Sequence, residues 1–170
     1  MKTKTLITTI LILFVISGLF IWGYAQNSNT STPVRAIASS GTKSLLSAPV
    51  IFYDFGQISI KNGDVTKDFN FTNTTTGDIV IRGLETSCMC TSAFLVEPNG
   101  SIDGPFSMGG MGGRTTTNKT IKAGESRILR VTYNPNAHGP AGVGQIDRFI
   151  TITDSAGNKL QFEIKALVTP

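Results

Sequence analysis

The segment that decides the fold is Leu160-Gln161-Phe162-Glu163-Ile164-Lys165-Ala166-Leu167-Val168. Apolar residues occupy every second position of this segment, and the positions between them are mostly polar. Because successive side chains of a β-strand point to opposite faces of its sheet, this alternation predicts a strand with one buried face.

Other short segments upstream have the composition and alternation of strands. They are residues 51–55, 66–73, 78–85, 91–96, 126–133 and 149–153. Turn-forming residues follow two of these segments, in Thr74-Thr75-Thr76-Gly77 and Ser155-Ala156-Gly157-Asn158. No long window has a helical period. About seven short strands in one domain predict an all-β fold, namely an immunoglobulin-like antiparallel β-sandwich.

The N-terminal region differs from the rest of the chain. Lys2 and Lys4 precede an apolar run over residues 6–22. Its length lies between the core of a signal peptide, about 7–15 residues, and the roughly 20 residues that span a bilayer. Residues 1–25 are therefore predicted to form one hydrophobic helix, either a membrane anchor or a cleaved signal peptide. The lysines favour an N-in orientation, which places the remaining chain outside the cytoplasm, in the cell envelope, as a single-pass anchored or secreted protein.

Composition defines the other boundaries and excludes two classes of function. Residues 26–48 are rich in Ser, Thr, Asn and Ala and are predicted to be a flexible linker, and residues 49–170 are predicted to be one domain. Lys2 and Lys4 account for much of the net charge of +4, and no basic stripe is present, which excludes nucleic acid as a partner. No Ser/His/Asp arrangement or carboxylate pair stands out. The sequence thus predicts no catalytic residues and no enzyme activity.

The two cysteines of the chain lie one residue apart in Ser87-Cys88-Met89-Cys90-Thr91. On an extended backbone their side chains would point to the same side, with Met89 pointing away. Three interpretations remain open for the pair. It can bind a soft metal ion, form a redox-active disulfide that is strained and easily reduced, or pack as a structural pair. Ser87 and Thr91 are expected to hydrogen-bond the local turn.

Several motifs in a fixed order resemble one family of exported bacterial proteins, the domain-of-unknown-function 1573 family. The motifs are Asp54-Phe55-Gly56-Gln57-Ile58, Phe69-Asn70-Phe71-Thr72-Asn73-Thr74, Thr86-Ser87-Cys88-Met89-Cys90-Thr91, Ile121-Lys122-Ala123-Gly124-Glu125 and Tyr133-Asn134-Pro135-Asn136-Ala137-His138-Gly139. The resemblance implies a Hydin-like or major-sperm-protein-like immunoglobulin fold. It implies no biochemical activity. Met89 stands where the commoner family pattern has glycine.

The soft-metal interpretation names Cu(I), because thiolate and thioether sulfur atoms are its preferred ligands and imidazole also suits it. The predicted ligands are Cys88, Cys90, Met108, Met111 and His138. If the strands run up and down, His138 lies at the same end of the sandwich as the cysteines. The methionine loop, within residues 99–120, starts at the opposite end by the same reasoning. It would reach the cysteines only by folding back along the edge of the sandwich, or if residues 91–96 form a short edge strand. No other cofactor is predicted.

Two alternatives belong to other classes of function. One is a non-catalytic adhesion or assembly module of the envelope, with structural cysteines and a protein partner that adds a strand to a sheet edge. The other is a thiol–disulfide carrier. A carrier needs a group that stabilises a thiolate, and Arg82 is the nearest basic residue in the sequence.

Overall fold

The structure is a computed structural model that describes residues 44–110 and 112–170. The predicted hydrophobic helix at residues 1–25, and nearly all of the predicted linker, lie outside the described residues. In the described part of the chain, no helix has the length and apolar character needed to cross a membrane.

Ten strands form within the described residues. They are β1 (Leu46–Ser47), β2 (Phe52–Ser59), β3 (Val65–Asn73), β4 (Ile79–Thr86), β5 (Thr91–Val96), β6 (Ile102–Phe106), β7 (Thr116–Ile121), β8 (Ser126–Tyr133), β9 (Gly144–Asp154) and β10 (Lys159–Thr169). All the predicted strands are confirmed, and β1, β6 and β7 are additional. Strand β1 lies inside the segment predicted as linker, so strand structure begins before Pro49.

Strands β6 and β7 were missed because neither one alternates. Strand β6 contains Gly104-Pro105, and five polar residues precede Ile121 in β7. Both are edge strands, where the missing N–H of proline is tolerated and only one side needs a hydrogen-bonding neighbour.

The strands form two five-stranded sheets, in the orders β1-β3-β8-β5-β6 and β2-β10-β9-β4-β7. The first sheet is antiparallel throughout. The second is mixed, because β2 pairs with β10 in parallel, with Tyr53 opposite Ile164. The prediction of a purely antiparallel sandwich is therefore wrong for this edge of the second sheet.

One hydrophobic core lies between the sheets and contains buried residues from both. Phe162, Ile164, Ala166 and Val168 of β10 are buried, which confirms the alternation read from the sequence. Across the core, the ring of Phe162 packs against that of Phe69 of β3, with centroids 5.1 Å apart. The chain is therefore an all-β sandwich.

The edge strands β6 and β7 belong to different sheets, and an ion-pair network joins them. The Asp103 carboxylate of β6 accepts hydrogen bonds from Arg114 at 2.6 Å and from Thr117 of β7 at 3.2 Å. Lys119 of β7 lies 3.7 Å from the same carboxylate and 3.0 Å from Glu97. This network closes one side of the sandwich.

Candidate functional site

Two connections that pass from one sheet to the other meet at one end of the sandwich. The first joins β4 to β5 and contains both cysteines, and the second joins β8 to β9 and contains His138. The backbone N–H of Asn134, just after β8, donates a hydrogen bond of 2.9 Å to the carbonyl of Cys90. The two connections are thus fixed to each other by backbone contact.

The cysteines lie in a tight turn, where they form a disulfide bond. The Cys88 carbonyl accepts hydrogen bonds from the Thr86 hydroxyl at 2.9 Å and from the Thr91 N–H at 3.1 Å, which close the turn. The Cα atoms of Cys88 and Cys90 are 5.2 Å apart. The expectation of an extended backbone was wrong, since the turn shortens the separation to one that disulfides commonly span.

The residues around the cysteines have the exposure that the sequence predicted. Met89 is 59% exposed, as expected for a side chain that points away from the pair. The Ser87 hydroxyl accepts a hydrogen bond of 2.9 Å from the N–H of Phe149 in β9, and the Ser87 N–H donates one to the Phe149 carbonyl. Ser87 therefore bonds to the neighbouring strand β9 and not within the turn as expected, whereas the Thr91 N–H does close the turn.

The two sulfur atoms have different surroundings. Cys90 is only 3% exposed and belongs to the core, whereas Cys88 is half-buried at its margin. The Nε2 atom of His138 lies 3.5 Å from the Cys88 Sγ atom. The prediction that His138 lies at the same end as the cysteines is confirmed. The three ligand atoms of Cys88, Cys90 and His138 lie within 4.8 Å of one another.

Arg148 of β9 contacts the disulfide, and the sequence analysis did not single it out. Its Nε–H donates a hydrogen bond of 3.2 Å to the Cys90 Sγ atom. Another guanidinium N–H donates to the carbonyl of Asp147 at 2.8 Å and holds the side chain in place. The residue is distant in sequence from the cysteines, but it follows the His138 connection directly. The same up-and-down reasoning that located His138 would have located Arg148.

The methionine loop starts at the opposite end of the sandwich, as predicted, and then turns back towards the cysteines. The reason is β6, which runs antiparallel to β5 and places Phe106 opposite Ala93. The Ser107 carbonyl then accepts a hydrogen bond of 3.4 Å from the Thr86 N–H. Met108 lies beside Ser87 as part of a cleft. Met111 lies outside the described residues.

The cleft has a volume of about 420 Å³ and opens on the outer side of the second sheet. Its lining residues come from the end of β4, the methionine loop, β9 and β10. They are Glu85, Thr86, Ser87, Met108, Gly109, Phe149, Thr151 and Gln161.

These features define the class of the protein as an all-β sandwich with a partly accessible disulfide between two sheet connections. The sequence profile of a family described as "Protein of unknown function (DUF1573)" matches residues 50–99. This match confirms the resemblance read from the ordered motifs.

One solved structure shares the fold over most of this chain, and a second has a lower similarity. A protein of unknown function from Porphyromonas gingivalis W83 has a TM-score of 0.52 and 16% identity, over 77% of this chain and 50% of that one. The chain thus spans half the length of that protein. PapD-like domain 7 of human CEP192 has a TM-score of 0.46 and 11% identity, over 81% of this chain and 96% of that one. No curated protein matches the sequence.

Proposed function

We propose that the protein is an exported, non-enzymatic immunoglobulin-like module that exchanges its Cys88–Cys90 disulfide with the thiols of partner proteins in the cell envelope. The observation that carries the proposal is that the two sulfur atoms of the disulfide have different surroundings. The more accessible sulfur lies beside an imidazole, and the buried sulfur accepts a hydrogen bond from a guanidinium. A thiol–disulfide carrier needs a cation near its thiols, and the sequence offered none close to the cysteines. The guanidinium of Arg148 is such a cation.

The burial of Cys90 directs the reaction to Cys88. A partner thiolate attacks the Cys88 Sγ atom along the S–S axis, and the bonding electron pair leaves with the Cys90 Sγ atom. Arg148 stabilises this leaving thiolate by charge and by its hydrogen bond. His138 lies beside the attacked sulfur and can accept the proton that the incoming thiol loses.

A second partner thiol completes the exchange. It attacks the partner sulfur of the mixed disulfide, and Cys88 leaves and takes up a proton. The partner has then lost two electrons and two protons in forming its own disulfide. The module has gained both, as two thiols. The reverse sequence of steps reduces a partner disulfide.

The expected location supports this chemistry. Basic residues before the apolar run at residues 6–22 favour an N-in anchor or a signal peptide, and disulfides persist outside the cytoplasm. The membrane is then a partner through the predicted hydrophobic helix at residues 1–25.

The test is a redox titration of the full-length protein in mild detergent. The protein is equilibrated with mixtures of reduced and oxidised dithiothreitol, and free thiols are then trapped with a maleimide reagent and counted on gels. One reversible two-electron transition is expected in the folded state. Thiols that become reactive only after unfolding would contradict the proposal.

Single-cysteine variants test the direction of attack. Cys90→Ser leaves the accessible Cys88, which should accumulate a mixed disulfide with an added model thiol. Cys88→Ser leaves the buried Cys90, which should react far more slowly. Equal reactivity would contradict the assignment of Cys88 as the attacked residue.

The reduced form favours a second candidate function, the Cu(I) binding predicted from the sequence. The disulfide argues against copper in the oxidised form, because neither sulfur is a thiolate. After reduction, Cys88 and Cys90 supply two soft ligands with the imidazole of His138 within reach. Met108, which lines the cleft, and Met111 remain predicted ligands.

Native mass spectrometry of the reduced protein with anaerobic Cu(I) tests this candidate. One retained copper ion per chain is expected, lost in Cys88→Ser and held more weakly in His138→Ala. If the wild type retains no copper, the metal interpretation is wrong. The exchange function is then decided by the redox titration alone.

A further inference from the structure

We infer that the cleft beside the disulfide receives an extended segment of the partner polypeptide, with a large apolar residue and a basic residue close to its reacting cysteine. The inference rests on the proposed exchange function and names its class of substrate. Three observations on the cleft carry it: its position, the two large apolar residues in its lining, and its charge.

The position of the cleft places it next to the turn that holds the disulfide. Ser87 lines the cleft and directly precedes Cys88 in the chain. Behind it, Glu85, Thr151 and Gln161 form one cross-strand row over β4, β9 and β10. Because an extended chain advances about 3.3 Å per residue, a partner cysteine at Cys88 would place its next few residues along this row.

The walls of the cleft suit an apolar side chain. Phe149 of β9 and Met108 of the loop are both half-buried and line it. The thioether side chain of methionine adapts to apolar groups of different shapes, which suits a site that meets more than one partner. The volume of about 420 Å³ admits a few side chains, so a single segment and not a folded domain enters.

The charge of the cleft favours a polypeptide over the small thiol compounds of the envelope. Glu85 is exposed, and among the described residues it has no ion-pair partner. Its carboxylate would pair with a lysine or arginine of the segment. It would repel glutathione, which carries two carboxylates. The cleft therefore favours a basic–apolar peptide over an anionic small thiol.

The experiment compares the rates at which synthetic dithiol peptides reduce the oxidised full-length protein. The peptides share two cysteines and differ in the two neighbouring residues: phenylalanine with lysine, phenylalanine with glutamate, or two alanines. The phenylalanine–lysine peptide should react about tenfold faster than the alanine peptide, and glutathione should react more slowly than either.

Variants connect this preference to the cleft. Glu85→Gln should remove most of the advantage of lysine over glutamate, and Met108→Ser should reduce the advantage of phenylalanine over alanine. The matched control is Asp78→Asn, at the opposite end of β4, where the amide oxygen can still accept the hydrogen bond from the Ala123 N–H. This variant should keep the wild-type preference.

The outcomes separate the two proposals. Equal rates for all peptides, or a preference that survives both Glu85→Gln and Met108→Ser, would overturn the cleft as the partner site. The exchange function would then still stand on a reversible titration with dithiothreitol. A glutathione rate equal to that of the best peptide would also overturn the inference.

Discussion

At the scale of single residues, the site depends on the different surroundings of its two cysteine side chains. The fold buries Cys90 against the core and gives it the Arg148 guanidinium, while Cys88 remains at the margin beside His138. A symmetric pair would offer a partner two equivalent sulfur atoms. Under the proposed exchange, burial would direct the attack to Cys88, and the charge of Arg148 would favour Cys90 as the leaving sulfur.

Arg148→Gln should make the disulfide harder to reduce. The guanidinium favours the reduced form because it stabilises a thiolate and not a disulfide. Its loss should shift the equilibrium with dithiothreitol by about tenfold, or about 30 mV in reduction potential. Redox titration measures the shift, with Arg130→Gln as the control on the distant Asp68 pair. An unchanged potential in Arg148→Gln would remove Arg148 from the mechanism.

The part of the site that the sequence predicts is the part that depends on the order of strands and loops along the chain. His138 was located because the parity of the strands places its loop beside the cysteines. Arg148 was overlooked because proximity was judged along the sequence, although β9 brings it to Cys90. The turn of the cysteines could not be read from the pattern, since hydrogen bonds to the Cys88 carbonyl create it.

At the scale of secondary-structure elements, alternation determines which strands the sequence reveals. Strand β10 was evident because its buried face lies across the core from β3, so packing selects one residue in two. Strands β6 and β7 are held mainly by edge pairing and by the ion pairs of Asp103, which leave no periodic signature. Strand β6 also returns the methionine loop to the cysteine end, a fold-back that the sequence allowed but did not predict.

Phe162→Ala tests the strand that decided the fold. Phe162 is fully buried against Phe69, so truncation should leave a cavity and lower the free energy of unfolding by about 3–5 kcal/mol. Phe52→Ala is the matched control, because Phe52 is 42% exposed and should cost less than about 1 kcal/mol. Urea denaturation of both variants gives the values. Similar losses in the two variants would contradict the assignment of the core.

Asp103→Asn tests the closure of the β6–β7 edge. Burial raises the pKa of Asp103, but the hydrogen bond and charge of Arg114, with Lys119 and Thr117, outweigh it and hold the pKa below its ordinary value. The charged carboxylate therefore stabilises the fold above the unfolded-state pKa of about 3.9, and this stabilisation is lost as the pH falls through the lower folded-state value.

The variant should lose about 1 kcal/mol near pH 7, and the difference from wild type should shrink as the pH approaches about 2. Denaturation over that pH range measures it. Asp64→Asn is the control, since Asp64 is exposed and makes no ion pair among the described residues. A difference that stays constant with pH would show that the charge of Asp103 is not responsible.

At the scale of the whole molecule, the fold and the disulfide are separable. One core joins both sheets, and the backbone bond from Asn134 to Cys90 fixes the end of the sandwich without involving sulfur. A structural disulfide usually links distant parts of a chain, whereas this bond closes a sequence separation of 2 residues. The module can therefore change its redox state without unfolding.

Reduction should accordingly leave the protein folded, with a loss of about 1.5 kcal/mol or less, because a loop this short restricts the unfolded chain only slightly. The melting temperature should fall by roughly 5 °C at most. Thermal unfolding of oxidised protein, reduced protein and the double variant Cys88→Ser/Cys90→Ser measures this. The double variant separates loss of the cross-link from any effect of the reductant. A much larger fall in both would assign the pair a structural role, and the redox function would then lose its physical basis.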